Sequence, residues 1–261
     1  MDWRNCMKNI VSNDECICYE DIGEGIPIIF LHPPGMGRKV FYEQKALSKH
    51  FRIILPDLPG HGDSSYNVER AVSVERFGED IIELMNQLTI YSAVIFGYSS
   101  GGAIAQYLAI HHPSRVHTLI LSGGYPIVDH WMIKNEHRLG VYSATKGKKL
   151  LANVLAISHT KDRQFRRELK EHMYKANHHV WAKYYYDVMH FNCKADLAKI
   201  TAPVLLMYGS KSDSFNTYIK TYKNVLADVE IFVIKGESHQ LPTRQPSYVN
   251  QIITGYLLNR Q

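Results

Sequence analysis

One six-residue segment limits what this chain can fold into more than any other. Gly97-Tyr98-Ser99-Ser100-Gly101-Gly102 stands between an apolar run of strand length, 93–96, and a run of helix length, 100–111, that stops before Pro113. The chain has to turn from strand to helix within a few residues. Positions two before and two after the serine therefore carry minimal side chains, which Gly97 and Gly101 supply. Ser99 is pushed out at the apex of the turn. It stands at the sheet edge where open α/β sheets collect ligands, in front of a helix N-terminus with its positive dipole end and unpaired N–H groups. A plain Gly/Ser connection has the same composition, so the weight of the motif depends on what surrounds it.

Around it, short apolar or β-branched runs alternate with amphipathic stretches. Strands are predicted at 15–20, 26–31, 52–55, 93–96, 117–121, 203–208 and 229–234, and helices at 40–48, 73–87, 100–111, 217–224 and 248–258. This order predicts an α/β fold with a mostly parallel central sheet and helices on both faces. Between about residues 125 and 195 no strand signal appears, but helical stretches do, at 148–156 and 162–176. The expected organisation is a core of 1–124 and 196–261 with a helical insertion, 125–195, over one end of the sheet. A chain of 261 residues, 45% hydrophobic and 21% charged, buries a full-sized core of this kind.

A serine at such an apex needs a base, and the base needs a carboxylate to orient it. Asp213 follows the strand 203–208 in Gly209-Ser210-Lys211-Ser212-Asp213, and His239 follows the strand 229–234 in Gly236-Glu237-Ser238-His239. Both are expected at the same sheet edge as Ser99. Glu237 lies too near His239 in sequence to orient it easily, and Asp129 belongs to the insertion. His61, between Gly60 and Gly62, and His32, before Pro33-Pro34, read as structural. Ser100 as nucleophile would lose the glycine register. An oxyanion formed at Ser99 needs N–H donors. The Ser100 amide is one. The second is expected from His32-Pro33-Pro34-Gly35-Met36-Gly37, where the prolines have no N–H; that leaves Gly35 or Met36, and Met36 is the choice.

Several other classes are excluded or disfavoured. Apolar runs reach six residues at most, against roughly 20 for a membrane span, so no transmembrane segment is expected. The opening Met1-Asp2-Trp3-Arg4-Asn5-Cys6 lacks the order of a secretory leader, and a cytoplasmic location is expected. Four cysteines and fourteen histidines show no metal-ligand spacing, so no metal site is expected and the histidines read as scattered over the surface. The net charge of +5 comes without a nucleic-acid-binding motif, so no nucleic-acid partner is expected. The insertion holds thirteen Lys/Arg against six Asp/Glu, a net of +7, while the remainder carries −2. Such a field would steer anionic acyl substrates, or an anionic lipid surface, toward Ser99, unless it is only a solvated face. The Tyr184-Tyr185-Tyr186 run reads as packing.

Taken with Leu31-His32 and Asp57-Leu58-Pro59-Gly60-His61-Gly62-Asp63-Ser64, these segments resemble the α/β-hydrolase fold superfamily over nearly the whole chain, with the insertion where that family has a helical cap. The order Ser99, Asp213, His239 is the one found in that family. The resemblance implies a cofactor-independent serine hydrolase with a small-molecule acyl substrate, an ester of small to medium size in the first place. The same triad serves thioesters, lactones, amides, carbon–carbon bonds and acyl transfer, and a ligand-binding receptor can share the fold. Two features depart from the family pattern. Pro33-Pro34 replaces the usual His-Gly continuation, and the acid stands four residues after the strand-end Gly209, with Ser212 at the commoner place.

Overall fold

The computed structural model describes residues 7–12, 15–211 and 214–260; the opening segment 1–6 and Asp213 lie outside them. Eight strands form one sheet: β1 (Met7–Ser12), β2 (Glu15–Ile22), β3 (Pro27–Leu31), β4 (Arg52–Pro56), β5 (Ala93–Tyr98), β6 (Val116–Ser122), β7 (Val204–Gly209) and β8 (Val229–Ile234). Their order across the sheet is β1-β2-β4-β3-β5-β6-β7-β8. β1 pairs antiparallel with β2, and β2 antiparallel with β4; every other pairing is parallel. Every residue of β5 and of β7 is buried, as expected of parallel strands covered on both faces. The expected α/β fold with a mostly parallel sheet is the one observed. β1 went unread because its Met-Lys-Asn-Ile-Val-Ser run gives no alternation signal: Ile10 is buried while the adjacent Val11 is exposed.

The helices α1 (Val74–Gln87) and α2 (Gly101–His111) follow β4 and β5. The Ser73 hydroxyl caps α1 by accepting the Arg76 N–H at 3.1 Å. Residues 38–49 coil as 3₁₀ turns, kinked at Phe41, instead of the expected regular helix. Between β6 and β7 come α3 (Trp131–His159), α4 (Arg163–Lys175) and α5 (His178–His190); α6 (Ile219–Val225), α7 (Leu241–Arg244) and α8 (Pro246–Leu258) complete the chain. α3 breaks at Gly147, where the backbone leaves helical angles (φ −150°, ψ 41°). Of α3 only the part after this break showed in the sequence. α5, the helix of the tyrosine run, had no bounds in the sequence because histidines and tyrosines, weak helix formers, make up much of it.

α4 is fixed to the core by a buried charge cluster. The Asp57 carboxylate accepts from the Arg38 backbone N–H (2.7 Å), the Arg38 guanidinium, the Asp63 N–H (2.9 Å) and His172 Nε2 of α4 (2.9 Å). Burial alone would raise the Asp57 pKa, but His172 and Arg38 outweigh it and hold the carboxyl well below the usual range. Lys175 adds an ion pair to Asp63 at 2.6 Å. The Asp57–Ser64 turn thus acts as the seat of α4.

Not all of the histidines lie on the surface, where they were expected. His32, His61, His137, His159 and His172 are buried. Burial drives His32, His137 and His159 down to pKa values of about 4, and His61 to about 3. These four stay neutral in the folded protein while an unfolded chain protonates them near pH 6.5. Their stabilising contribution is therefore complete above pH 6.5 and is lost as pH falls toward 4, by about 1.4 kcal/mol per pH unit for each proton taken up on unfolding. The urea midpoint is expected to drop steeply between pH 7 and pH 5. A flat or rising midpoint over that interval would contradict the burial of these imidazoles.

Candidate active site

The turn after β5 places Ser99 at φ 52°, a left-handed conformation that a non-glycine residue adopts at a cost of roughly 1–2 kcal/mol. Two glycines make this possible. A Cβ on Gly97 would lie 2.6 Å from the Gly102 Cα, and one on Gly101 would run into the Leu31 carbonyl oxygen. The Ser99 N–H is tied to the Ser122 carbonyl at 2.9 Å, and the Ser99 carbonyl accepts the Gly102 N–H at 2.8 Å to start α2. The side chain is left pointing away from the sheet.

His239, on the loop between β8 and α7, meets it: Nε2 lies 2.8 Å from Ser99 Oγ. The imidazole is held on several sides. Phe215 stacks on it with ring centroids 4.1 Å apart and planes at 23°, and the Tyr98 ring lies 5.6 Å away. From below, Gly123 at the end of β6 leaves the space the ring occupies, since a Cβ there would collide with His239 Cε1. Neither Phe215 nor Gly123 was picked out from the sequence, although the Gly123-Gly124 pair after a strand marks a close approach. Gly123→Ala is expected to strain a φ of +63° and push the imidazole off Ser99. An ångström of misplacement is worth ~100-fold in kcat. A variant that melts like wild type yet keeps full kcat would show that Gly123 does not position the ring.

Ser100 is buried and its hydroxyl is already engaged. His137 Nδ1 donates to the Ile133 carbonyl (2.8 Å), so Nε2 accepts from Tyr125 OH (2.8 Å), and the Ser100 hydroxyl donates to the Tyr125 oxygen (2.8 Å). A parallel chain joins Tyr98 to α3: the Tyr98 OH donates to His159 Nε2 (3.0 Å), whose Nδ1 donates to the Leu155 carbonyl (2.7 Å). Two neutral imidazoles of α3 thus fasten that helix over the elbow.

Met36 stands in the wall of the cavity over Ser99, with its N–H donating to the Pro33 carbonyl at 3.3 Å, a long bond. Gly35 is pressed against the Trp181 indole. His32 and His61 hold turns: His32 Nδ1 donates to the Pro33 carbonyl (2.9 Å) and Nε2 accepts the Leu58 N–H (3.0 Å), while His61 Nδ1 donates to the Pro59 carbonyl (3.1 Å). The rival acids have other partners, Asp129 accepting from Tyr218 OH at 2.7 Å and Glu237 from Gln245. Of the tyrosine run, Tyr184 packs, Tyr185 reaches the cavity and Tyr186 is exposed, as three consecutive positions on a helix must diverge. The cavity over Ser99 measures about 60 Å³. Among the described residues, Asp57, Asp63 and His172 form the one His/carboxylate group close enough to hold a metal ion, and the Arg38 guanidinium is already set against both carboxylates.

A family model described as the alpha/beta hydrolase fold matches residues 26–190. The chain belongs to the α/β hydrolase fold family. Similar members include a superfamily protein of Bacillus subtilis, YisY, 40% identical over 105 residues and 39% of each chain. The pimeloyl-[acyl-carrier protein] methyl ester esterase of Nitrosospira multiformis is 34% identical over 113 residues, 41% of each chain. These matches thus span about two-fifths of the curated relatives' length. Among solved structures, an esterase from Exiguobacterium antarcticum superposes with a TM-score of 0.85 at 22% identity, covering 95% of this chain and 98% of its own. That likeness concerns the fold of this α/β hydrolase family member.

Proposed function

We propose that this family member is a serine hydrolase acting on a carboxylic ester. The observation that carries the proposal is the 2.8 Å approach of His239 Nε2 to Ser99 Oγ at a strained elbow. Ser99 attacks the ester carbonyl as His239 takes its proton. The proton then goes to the leaving alcohol, and water cleaves the acyl-enzyme with His239 again as base. Asp213 is assigned the orienting of the imidazole through Nδ1. The Ser100 amide heads α2 and receives the oxyanion, with the Met36 amide as second donor once it exchanges its long bond to Pro33 for the stronger charged acceptor.

The cavity bears on the substrate. At about 60 Å³ it holds the volume of two waters, far below the 300–1,000 Å³ of ordinary ligand pockets. Either the acyl group is a few heavy atoms long or the helical cap of 125–195, which we assign as a lid, moves aside. Glu136 is part of the cavity wall. Its carboxylate favours a neutral acyl group over the anionic one that the charge of the insertion suggested. The methyl ester named for the Nitrosospira relative is in keeping with a small leaving alcohol. A panel of p-nitrophenyl esters of graded acyl length, run beside a thioester and a lactone, tests this directly. Turnover is expected to be highest for the shortest neutral acyl groups. Activity confined to the thioester or the lactone would move the assignment to that bond, and no turnover of any of them would favour a binding protein.

A further inference from the structure

α3 has two faces of opposite use. Its inner positions Ile133, His137, Gly140 and Ala144, then Ala152, Ala156 and His159, are buried over the core. The outer face would normally be polar. Here it exposes Trp131, Leu139 and Tyr142 before the break at Gly147 and Leu150, Val154 and Ile157 after it, each more than half exposed. The last three recur at i, i+4 and i+7, directly opposite the buried row. Among them stand Lys134, Arg138, Lys146 and Lys149, and from 137 to 159 the chain has no Asp or Glu at all. Glu136, the one acidic residue of the helix, lines the cavity over Ser99 and is also exposed. Lys148 is turned inward, where it donates to the carbonyls of Tyr174 and Ala176 at 2.9 Å.

We propose that this outer face of α3 docks on a membrane surface carrying anionic lipid headgroups. Large exposed apolar side chains on both halves of the helix, Trp and Tyr among them, with four lysines and arginines alongside and Glu136 as the one carboxylate, match the boundary between acyl chains and phosphates. Charge decides between this occupant and a second copy of the chain. Two such faces packed about a twofold axis would bring four cations of each helix together with only Glu136 to answer them, whereas anionic headgroups supply the missing charge. The contact is peripheral, since among the described residues no helix is long and apolar enough to cross a membrane. It rests on the shape and charge of the outer face and does not require the hydrolase reading.

The full chain is to be floated with vesicles of phosphatidylcholine alone and of phosphatidylcholine mixed with phosphatidylglycerol, at low and at raised salt. The expected result is binding to the mixed vesicles only, weakened by salt, with a blue shift of Trp131 emission that Trp131→Phe removes. Replacing Leu150, Val154 and Ile157 together by serine is expected to cut the bound fraction roughly tenfold or more while leaving the melting temperature unchanged. Ser99→Ala should bind as wild type does, which separates this proposal from the fate of the reaction. Failure of the wild type to bind the mixed vesicles, or equal binding by the triple variant, would overturn it. So would a wild-type dimer that the triple variant dissociates while the vesicles float free of protein.

Discussion

Ser99→Ala is expected to lower kcat roughly 10⁶-fold while leaving the melting curve unchanged or slightly raised. The size follows from the way a nucleophile and its base act as one unit: without the hydroxyl there is no acyl-enzyme, and only binding and oxyanion stabilisation remain. The stability expectation has a separate cause. Ser99 sits at φ 52° because the turn requires it, and its backbone bonds to Ser122 and Gly102 survive the loss of the hydroxyl. Ser100→Ala is the matched control. It removes a hydroxyl bound to Tyr125 but keeps the amide assigned to the oxyanion, so it should cost stability and little catalysis. If Ser99→Ala retains activity in protein free of wild type, or if Ser100→Ala is the more damaging of the two, the nucleophile is misassigned.

Asp213→Asn is expected to lower kcat by about 10⁴, the magnitude seen when a triad carboxylate becomes an amide and the histidine takes the wrong tautomer. Since Nε2 of His239 faces Ser99 at 2.8 Å, Nδ1 is the atom the acid has to reach. The residue lies outside the described residues, and its assignment rests on its place in the sequence shortly after β7. Ser212→Ala, at the commoner family position, should be mild. A mild Asp213→Asn together with a severe Asp129→Asn or Glu237→Gln would move the acid to one of those residues, despite their bonds to Tyr218 and Gln245.

What could be read from the chain alone follows from how local each signal is. The elbow was legible because its glycines answer a steric demand within six residues, and the parallel strands because burial on both faces makes them continuous apolar runs. Long-range placement was not. The cross-sheet order, the contact of Gly123 with His239 and the stacking of Phe215 on the imidazole depend on strands far apart in sequence. The histidines misled for the same reason. A histidine such as His137 or His159 is polar in sequence, but becomes a neutral, buried acceptor once one ring nitrogen has a carbonyl and the other a tyrosine hydroxyl. The prolines after His32 point the other way: the sequence shows that they lack an N–H, and the structure places Met36 in the wall of the cavity over Ser99 with its amide bonded to the Pro33 carbonyl.

Covalent catalysis at Ser99 is tested most directly by mass. The protein is mixed with a short-chain p-nitrophenyl ester, quenched in acid during turnover and measured intact, then mapped by peptides. One added acyl group is expected, located on the peptide at Ser99 and absent from Ser99→Ala. Turnover with no acyl adduct at Ser99, or an adduct on another residue that Ser99→Ala retains, would contradict it.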